Sequence, residues 1–227
     1  MKEGEHNFAS ILETVNSYYT RKITEFGATT RGVDWRDEKS QEIRFEQLLG
    51  VLGKASQAQL LNENCKVLDY GCGYGALLSY LRKGGARSNY FGFDCSQAMI
   101  DAALEKNSNI SNAVFSTTLP KEKVDFSLAS GIFNVNLESQ KNEFQKYILS
   151  ILDVLYDRSR LGFAFNMLTA YSDSKFKRSD LYYENPVFIV EHCLKNYSRT
   201  VNLSHGYQLF EFTVGVLLGP DSIGIRK

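Results

Sequence analysis

A short apolar strand that runs into a glycine-rich turn, at residues 67–76, constrains the fold of this chain most. The segment reads Val-Leu-Asp-Tyr-Gly-Cys-Gly-Tyr-Gly-Ala and leads into a pattern typical of a helix. The glycines at positions 71, 73 and 75 let the backbone turn tightly and approach a ligand that a Cβ would push away. The first amides of the following helix face the same ligand. The segment therefore predicts a loop that holds a nucleotide cofactor.

Two kinds of nucleotide cofactor fit this spacing. Gly71-x-Gly73-x-x-Ala76 satisfies the dinucleotide-binding pattern, and Asp94 lies about twenty residues further on, where a ribose-binding carboxylate belongs. An NAD pyrophosphate, however, needs amides around it, and Asp69 would place a negative charge beside that anion. Asp69 instead suits a cationic group of a ligand. A dehydrogenase remains an alternative that the charge of Asp69 opposes.

The motif Asp69-x-Gly71-x-Gly73-x-Gly75 after an apolar strand resembles the first motif of class I S-adenosylmethionine (SAM)-dependent methyltransferases. Residues 90–96, Tyr-Phe-Gly-Phe-Asp-Cys-Ser, resemble the second strand of that family, which ends in an acidic residue that binds the ribose hydroxyls. Residues 124–131 resemble its fourth strand. The resemblance implies methyl transfer, with SAM as the cofactor and S-adenosylhomocysteine (SAH) as the product.

The apolar periodicity beyond residue 67 alternates between helix and strand, which indicates a parallel sheet. Asn185-Pro186 predicts a further helix start, and two β-rich runs around His205-Gly206 predict a terminal hairpin. With the resemblance, the pattern indicates a Rossmann-like α/β fold: a seven-stranded, mostly parallel sheet with an antiparallel C-terminal hairpin strand and an N-terminal helical cap. The predicted helices are 76–83, 97–106 and 140–157, and the predicted strands are 89–94, 112–116, 123–129 and 161–166.

The N-terminal residues, 1–60, are predicted to be helical. Apolar residues at three-to-four spacing predict a first helix over residues 7–26 that ends at Gly27, and Ser40 is predicted to cap a second helix. We expect a single methyltransferase domain over the whole chain, 1–227. It is expected to comprise the cap, 1–60, and the SAM-binding α/β core, 62–218, with an insert after the fifth strand at residues 167–185.

The resemblance implies roles for residues at the carboxyl ends of the strands, where open α/β sheets bind ligands. Asp69 is expected to hold the SAM ammonium, and Asp94 to accept the ribose hydroxyls, although Asp94 could instead cap the next helix. Thr117 follows the third strand, where many family members carry an acidic residue that contacts the adenine. The predicted cofactor-binding residues are Asp69, Gly71, Cys72, Gly73, Asp94, Cys95, Met99, Thr117, Ser130 and Gly131.

The methyl acceptor is expected to bind between the cap and the sheet edge. Aromatic rings there would stabilise the sulfonium charge, although rings at helical spacing are also typical of a core. Basic side chains in the cap would neutralise the SAM carboxylate if they are not simply solvated. The candidates on this side are Tyr18, Tyr19, Trp35, Tyr74, Phe133 and Tyr182 among the aromatic residues and Arg31 and Arg44 among the basic ones. His205 is the candidate general base, with simple exposure as the alternative.

The amino-acid composition limits the kinds of binding partner that we expect for this chain. Lys plus Arg and Asp plus Glu number 26 each, so the formal net charge is zero and gives no global reason to expect a polyanionic partner. The four cysteines are dispersed without a C-x-x-C pair, which predicts neither a metal site nor a disulfide framework. No apolar run is long enough for a signal peptide or a membrane span, so we expect a cytoplasmic enzyme without a membrane partner.

The sequence therefore predicts a SAM-dependent methyltransferase that transfers a methyl group to oxygen or nitrogen of a small molecule. Residues 130–133, Ser-Gly-Ile-Phe, replace the Asn-Pro-Pro-Tyr type of motif that marks many amino methyltransferases of nucleic acids and proteins. Together with the neutral charge, this argues against a nucleic-acid substrate. Two alternatives remain: an RNA methyltransferase that uses the basic residues 175–178, and a SAM-binding partner or sensor protein without catalysis.

Overall fold

The computed structural model describes residues 3–136 and 140–219 and contains one seven-stranded sheet. The strands lie in the order β3-β2-β1-β4-β5-β7-β6. They are β1 (Lys66–Tyr70), β2 (Asn89–Phe93), β3 (Ala113–Ser116), β4 (Val124–Ala129), β5 (Ser159–Leu168), β6 (Val201–His205) and β7 (Glu211–Leu217). The helices are α1 (Glu3–Phe26), α2 (Glu38–Leu60), α3 (Ala76–Lys83), α4 (Gln97–Lys106), α5 (Lys141–Arg158) and α6 (Pro186–Asn196).

The predicted fold class is confirmed. Strands β1 to β5 pair in parallel, whereas β7 runs antiparallel to both β5 and β6. The order of the strands reverses between β1 and β4, because the chain adds β2 and β3 on one side of β1 and all later strands on the other. The carboxyl ends of β1 and β4 therefore form the switch point at which such sheets open a ligand crevice.

The first helix agrees with the prediction, and the start of the second does not. α1 ends at Phe26, and Gly27 follows with φ of 65° and a hydrogen bond from its amide to the carbonyl of Ile23 (2.8 Å). α2 is capped by Asp37 rather than by Ser40. The Asp37 carboxylate accepts the amide of Ser40 (2.7 Å), and the Ser40 hydroxyl in turn faces the Asp37 amide, which makes a capping box.

The two N-terminal helices occupy different places. α2 packs its apolar side, including Leu48 and Val51, against the sheet. The fit is close, because a Cβ built on Gly215 of β7 would lie 2.6 Å from the carbonyl oxygen of Val51. α1 instead packs against α5 and α4, and its Thr20 hydroxyl lies 2.7 Å from that of Ser96 at the start of α4. α1 and the loop after it thus reach over the ligand edge of the sheet, and the start of α2 contributes Gln41 and Arg44 there.

The segment between β5 and α6 forms the predicted insert. A bridge joins Thr169 to Glu184, and another joins Leu181 to Val135, so the insert returns to the segment that follows β4. Asn185 caps α6 as predicted, since its side chain accepts the amide of Val187 (3.0 Å). In the part of the chain that the structure describes, no helix is long and apolar enough to cross a membrane. The division into cap and core stays a prediction, and residues 1, 2, 137–139 and 220–227 lie outside the described residues.

Candidate functional site

An inner cavity lies at the carboxyl ends of β1, β2 and β4. It has about 850 Å³ of empty space, including its opening to solvent. Its walls are the turn at residues 69–74, the end of β2 at residues 93–95, and residues 130–132 after β4. Leu12, Val15 and Tyr19 of α1 close it from the opposite side. This is the position that the switch point of the sheet predicts for a ligand.

The glycine-rich turn is tied to the neighbouring strand. The amides of Gly71 and Cys72 both donate to the carbonyl of Phe93 at the end of β2 (2.7 and 2.9 Å). Gly71 has φ of 78°, and a Cβ on it would lie 2.2 Å from Cγ2 of Ile132, which follows β4. Only glycine satisfies both the left-handed backbone and this close approach. The turn therefore brings the ends of three strands together around the cavity.

Asp69 is a buried carboxylate in the wall of the inner cavity, with 2% of its surface exposed. Burial raises its pKa to about 7; the hydrogen bond from the Tyr90 hydroxyl acts in the opposite direction, and the charge of Asp94 raises the pKa further. Tyr90 donates to Oδ2, whereas Oδ1 has no hydrogen-bond partner among the described residues. A cationic ligand group at Oδ1 would therefore restore the charged form of Asp69.

Asp94 joins the turn to α4. Its Oδ2 accepts the amide of Gly73 (3.0 Å), and its Oδ1 accepts the amide of Ser96 (2.9 Å), while the Ser96 hydroxyl caps α4 by accepting the amide of Met99 (3.4 Å). Burial raises the pKa of Asp94, and these two amide hydrogen bonds lower it. Each carboxylate oxygen keeps a second lone pair, so Asp94 can hold the backbone and still accept hydroxyl groups from a ligand.

A larger outer cavity, of about 1130 Å³ of empty space including its opening, adjoins the inner one. The two share Tyr19, Val33, Trp35 and Gly131 in their walls. The outer cavity is rich in charged side chains: its lining includes Lys22, Arg31, Arg36, Arg44 and Arg178, together with the carboxylates Asp34 and Glu211.

Trp35 stands at the junction of the two cavities. A Cβ on Gly131 would lie 2.4 Å from Cζ2 of Trp35, so the indole rests directly on the backbone that follows β4. The guanidinium of Arg44 covers the ring, 3.8 Å from its centroid. Arg44 is itself fixed by Glu211, whose two carboxylate oxygens accept its Nε at 2.9 Å each. The indole is thereby held between a glycine and a buried ion pair.

Comparison with known proteins decides the family. Residues 61–163 match the family model described as "Methyltransferase domain". A Mycobacterium tuberculosis (strain ATCC 25618 / H37Rv) protein named "Putative methyltransferase Rv1506c" is 45% identical over 148 residues, which cover 64% of this chain and 89% of that protein. The chain belongs to the class I SAM-dependent methyltransferases. SAM is accordingly the cofactor, as the sequence predicted.

Solved structures agree on the fold of this methyltransferase. Magnesium protoporphyrin IX methyltransferase (ChlM) from Synechocystis PCC 6803 with bound SAH superposes with a TM-score of 0.61 at 14% identity, covering 93% of this chain and 99% of that one. The N-methyltransferase NodS from Bradyrhizobium japonicum WM9 in complex with SAH gives a TM-score of 0.61 at 13% identity, covering 91% and 99%. Such low identities show the shared fold alone.

The inner cavity gathers most of the residues that the sequence nominated for the cofactor. Asp69, Gly71, Cys72, Gly73, Asp94, Cys95, Met99, Ser130 and Gly131 line it. Its donor set fits SAM, because the unpartnered oxygen of the buried Asp69 suits the ammonium and the free lone pairs of Asp94 suit the ribose hydroxyls. The individual contacts remain proposals. Thr117 is exposed beyond the end of β3, at the edge of the sheet, and lines neither cavity.

The substrate-side candidates divide into two groups. Tyr19 and Trp35 line both cavities, Tyr74 lines the inner one, and Arg31 and Arg44 line the outer one. The structure does not bring the remaining three to either cavity. Phe133 packs edge-on against Phe165 in the core, and the Tyr182 hydroxyl donates to Glu184 (2.6 Å). The Tyr18 hydroxyl donates to Asp34 (2.9 Å) from outside the cavity wall.

Two basic candidates and the histidine differ in their surroundings. The charge of Arg44 is already matched by Glu211, whereas the Arg31 side chain has no hydrogen bond or ion pair among the described residues. His205 ends β6 with its Nε2 3.1 Å from the Thr169 hydroxyl and lines neither cavity. β6 is three strands away from β4, a lateral distance of about 14 Å, because β5 and β7 intervene. Its catalytic role stays a prediction that this position does not support.

Sequence reasoning missed several residues of the inner cavity. Gln41 lies in its wall and accepts the hydroxyl of Tyr74 (3.1 Å), and Tyr147 of α5 borders it from another side. Leu12 and Val15 follow the apolar periodicity of α1, which predicted a buried face but not the element against which that face would pack. Val33 belongs to the loop after α1, for which the sequence offers no periodic signal.

Proposed function

We propose that this methyltransferase methylates an oxygen or nitrogen atom of a small molecule bound in the outer cavity, with SAM held in the inner cavity. The observation that carries the proposal is the junction: Tyr19, Val33, Trp35 and Gly131 border both spaces. An acceptor on one side of the junction can therefore meet a methyl group presented from the other.

In this arrangement Asp69 binds the ammonium of the cofactor and Asp94 its ribose hydroxyls. Because Asp94 also holds the amide of Gly73, it fixes the glycine-rich turn and the ribose at the same time. Cys95 and Met99 border the adenine. When bound, SAM supplies a methyl group activated by its sulfonium charge. The role of the protein is to align the acceptor with that methyl group and to exclude water.

The aromatic residues at the junction serve this alignment. Trp35 packs directly against Gly131, and the guanidinium of Arg44 covers its ring. Tyr19 lines both cavities, and its hydroxyl has no hydrogen-bond partner in the part of the chain that the structure describes. Ring faces near a sulfonium lower the energy of the cation, and a free hydroxyl beside them can orient the acceptor.

The outer cavity offers its acceptor no unpaired carboxylate as a base among the residues that the structure describes. Asp34 accepts Lys22 and Tyr18 (2.9 Å each), and Glu211 accepts Arg44. These hydrogen bonds and ion pairs already engage both carboxylates. This favours an acceptor atom that carries an available lone pair without proton removal by these residues.

Labelled SAM tests the proposal. The protein is incubated with SAM carrying a labelled methyl group and, separately, with the small-molecule, RNA and protein fractions of a cell extract. We expect label in a small molecule. Label that enters RNA, with binding that weakens steeply as salt is raised, would instead support an RNA methyltransferase. Tight binding of SAM with no label in any fraction would support a SAM-binding protein without catalysis.

A further inference from the structure

The outer cavity carries an excess of positive charge. Five basic side chains line it, against two carboxylates. The chain as a whole has a formal net charge of zero, so this excess is local. A concave, partly desolvated surface lined mainly by one sign of charge attracts ligands of the other sign. The cavity that we assign to the acceptor is thus suited to an anion.

Most of these basic side chains already have partners. Lys22 pairs with Asp34 (2.9 Å), Arg44 with Glu211, Arg36 with Asp37 (2.8 Å) and Arg178 with Asp180 (2.5 Å). Arg31 differs: among the described residues its guanidinium has no carboxylate within ion-pair distance and no hydrogen-bond acceptor. It belongs to the short 3-10 turn Arg31–Val33, which is packed against α1 and holds the start of the side chain in place.

The backbone around Arg31 is well anchored. The carbonyl of Arg31 accepts the amide of Asp34 (3.1 Å), and Asp34, with φ of 56°, is held by Lys22 and Tyr18 of α1. A Cβ on Gly32 would lie 2.1 Å from the carbonyl oxygen of Gly27, so the turn packs closely against the residue that follows α1. The planar guanidinium of Arg31 can bind a carboxylate or phosphate with two parallel hydrogen bonds, and the anchored backbone fixes the point at which its side chain begins.

We infer that the methyl acceptor is a small anionic molecule, with a carboxylate or phosphate group bound by Arg31. The inference rests on the proposed function, since it names the class of molecule that the outer cavity takes. Arg31 lines the outer cavity and not the inner one, so the anion belongs to the acceptor rather than to the carboxylate of SAM.

The chain contains a built-in probe for this test. Trp35 is its single tryptophan and lines both cavities, so tryptophan emission reports binding there without turnover. The protein is saturated with SAH and titrated with phenyl phosphate and benzoate, and with the neutral analogues phenol and benzyl alcohol. We expect the two anions to change the emission in a saturable way and to bind about tenfold or more tightly than the neutral compounds, as a charge-assisted bidentate contact allows.

Two variants test whether the preference for anions over neutral compounds depends on Arg31. Arg31→Gln should remove the preference for the anions while leaving the affinity for SAH unchanged. Arg87→Gln is the matched control, because Arg87 is exposed between α3 and β2 and lines neither cavity; it should keep the preference. A preference that survives Arg31→Gln would overturn the inference. Weaker SAH binding in Arg31→Gln would also overturn it, by assigning Arg31 to the cofactor.

The outcomes separate this inference from the proposed function. If SAH binds and the anions bind no better than their neutral analogues, the acceptor is not anionic and only the inference fails. If SAH itself does not bind, the proposed function fails as well. Anion binding at Arg31 combined with label in RNA would replace the small molecule with a nucleic-acid phosphate and overturn the inference.

Discussion

At the scale of single residues, the inner cavity depends on two buried carboxylates at the ends of neighbouring strands. Asp69 lies near the end of its strand with one oxygen unpartnered among the described residues, and Asp94 uses both oxygens to accept backbone amides. Burial raises the pKa of each carboxyl group, so keeping both groups ionised costs free energy in the unliganded protein. A cationic, hydroxyl-rich ligand offsets that cost. The two side chains therefore predict different responses to mutation and to pH.

Binding of SAM should depend on pH through Asp69. Its pKa in the free protein is about 7, so a fall in pH protonates it and removes the charge that attracts the ammonium. We expect the dissociation constant for SAM to rise by about tenfold as the pH is lowered from about 7 to about 5.5, a range in which the ligand ammonium stays charged. Isothermal titration calorimetry at several pH values measures this, along with uptake of a proton by the buffer on binding.

Asp69→Asn is the control for that titration. The amide keeps an oxygen that can accept from Tyr90 and loses the ionisable group. The variant should bind SAM more weakly at pH 7 and lose most of the pH dependence. An equally steep pH profile in Asp69→Asn would assign the titration to another group, Asp94 being the other carboxylate in the wall.

Asp94→Ala should weaken binding of both SAM and SAH by about 10- to 100-fold, the loss expected for charge-assisted hydrogen bonds to two hydroxyls. Calorimetric titration measures it, with NAD as a ligand that should not bind. Asp101→Ala is the matched control, since Asp101 is an exposed carboxylate on α4. Asp94→Asn, which keeps an acceptor oxygen for Gly73, separates ribose binding from folding of the turn. Unchanged affinity in both Asp94 variants would remove the ribose assignment.

At the scale of elements, α2 is the helix that the sequence described least well. It continues to Leu60 through Gly53, whose φ of 80° and ψ of 165° are not helical. The helix is thus kinked at a residue that tolerates such backbone angles. The kink lies just past the point at which Val51 meets β7, so the second half of α2 can follow a different course from the half that packs on the sheet.

Two glycines of α2 offer a matched test of the kink. A Cβ added to Gly50 or to Gly53 would have no atom within 4 Å, so alanine causes no steric clash at either position. Gly50 lacks a positive φ, and Gly50→Ala should raise the free energy of unfolding by about 0.5–1 kcal/mol. Gly53→Ala should lower it by about 1 kcal/mol or more, because the positive φ strains any residue with a Cβ. Denaturant titration compares them; equal effects would mean that α2 is straight in solution.

At the scale of the whole molecule, distant parts of the chain converge on one edge of the sheet. α1 closes the inner cavity and joins α4 through Thr20 and Ser96. The loop after α1 places Trp35 on Gly131, and the insert contributes Arg178 to the outer wall. The cofactor pocket is therefore formed jointly by the N-terminal segment and the sheet. Binding of a ligand there should stiffen the N-terminal segment relative to the sheet.

Hydrogen exchange measures this stiffening. Saturating SAH should slow exchange of the backbone amides in residues 8–36, because α1 and its loop lose freedom to open when the ligand bridges them to the sheet. α6 lies away from both cavities and is the internal control, with little change expected. Equal slowing of α1 and α6 would indicate a global effect on stability rather than closure of the cavity.

Most of the fold was predictable because its signals are local. The spacing of apolar residues determines where helices and strands form, and the alternation of elements determines the parallel sheet. The glycine-rich turn and Asp94 were found by the same means, since strand ends carry ligand residues in any open α/β sheet. The prediction that Ser40 caps α2 was wrong, although capping is also a local interaction. The cap is Asp37, three residues earlier, and Ser40 completes the capping box from inside the helix.

Local sequence patterns were thus enough to predict the α/β class, the cofactor turn and nine of the residues that line the inner cavity around it. Which acceptor-side candidates lie together depended on the packing of distant elements. The tertiary structure paired Arg44 with Glu211, 167 positions away, and left Arg31 without a partner in the described chain. It placed β5 and β7 between His205 and the switch point. Periodicity encodes local conformation and which face is buried, whereas a contact between distant residues depends on how whole elements pack against one another.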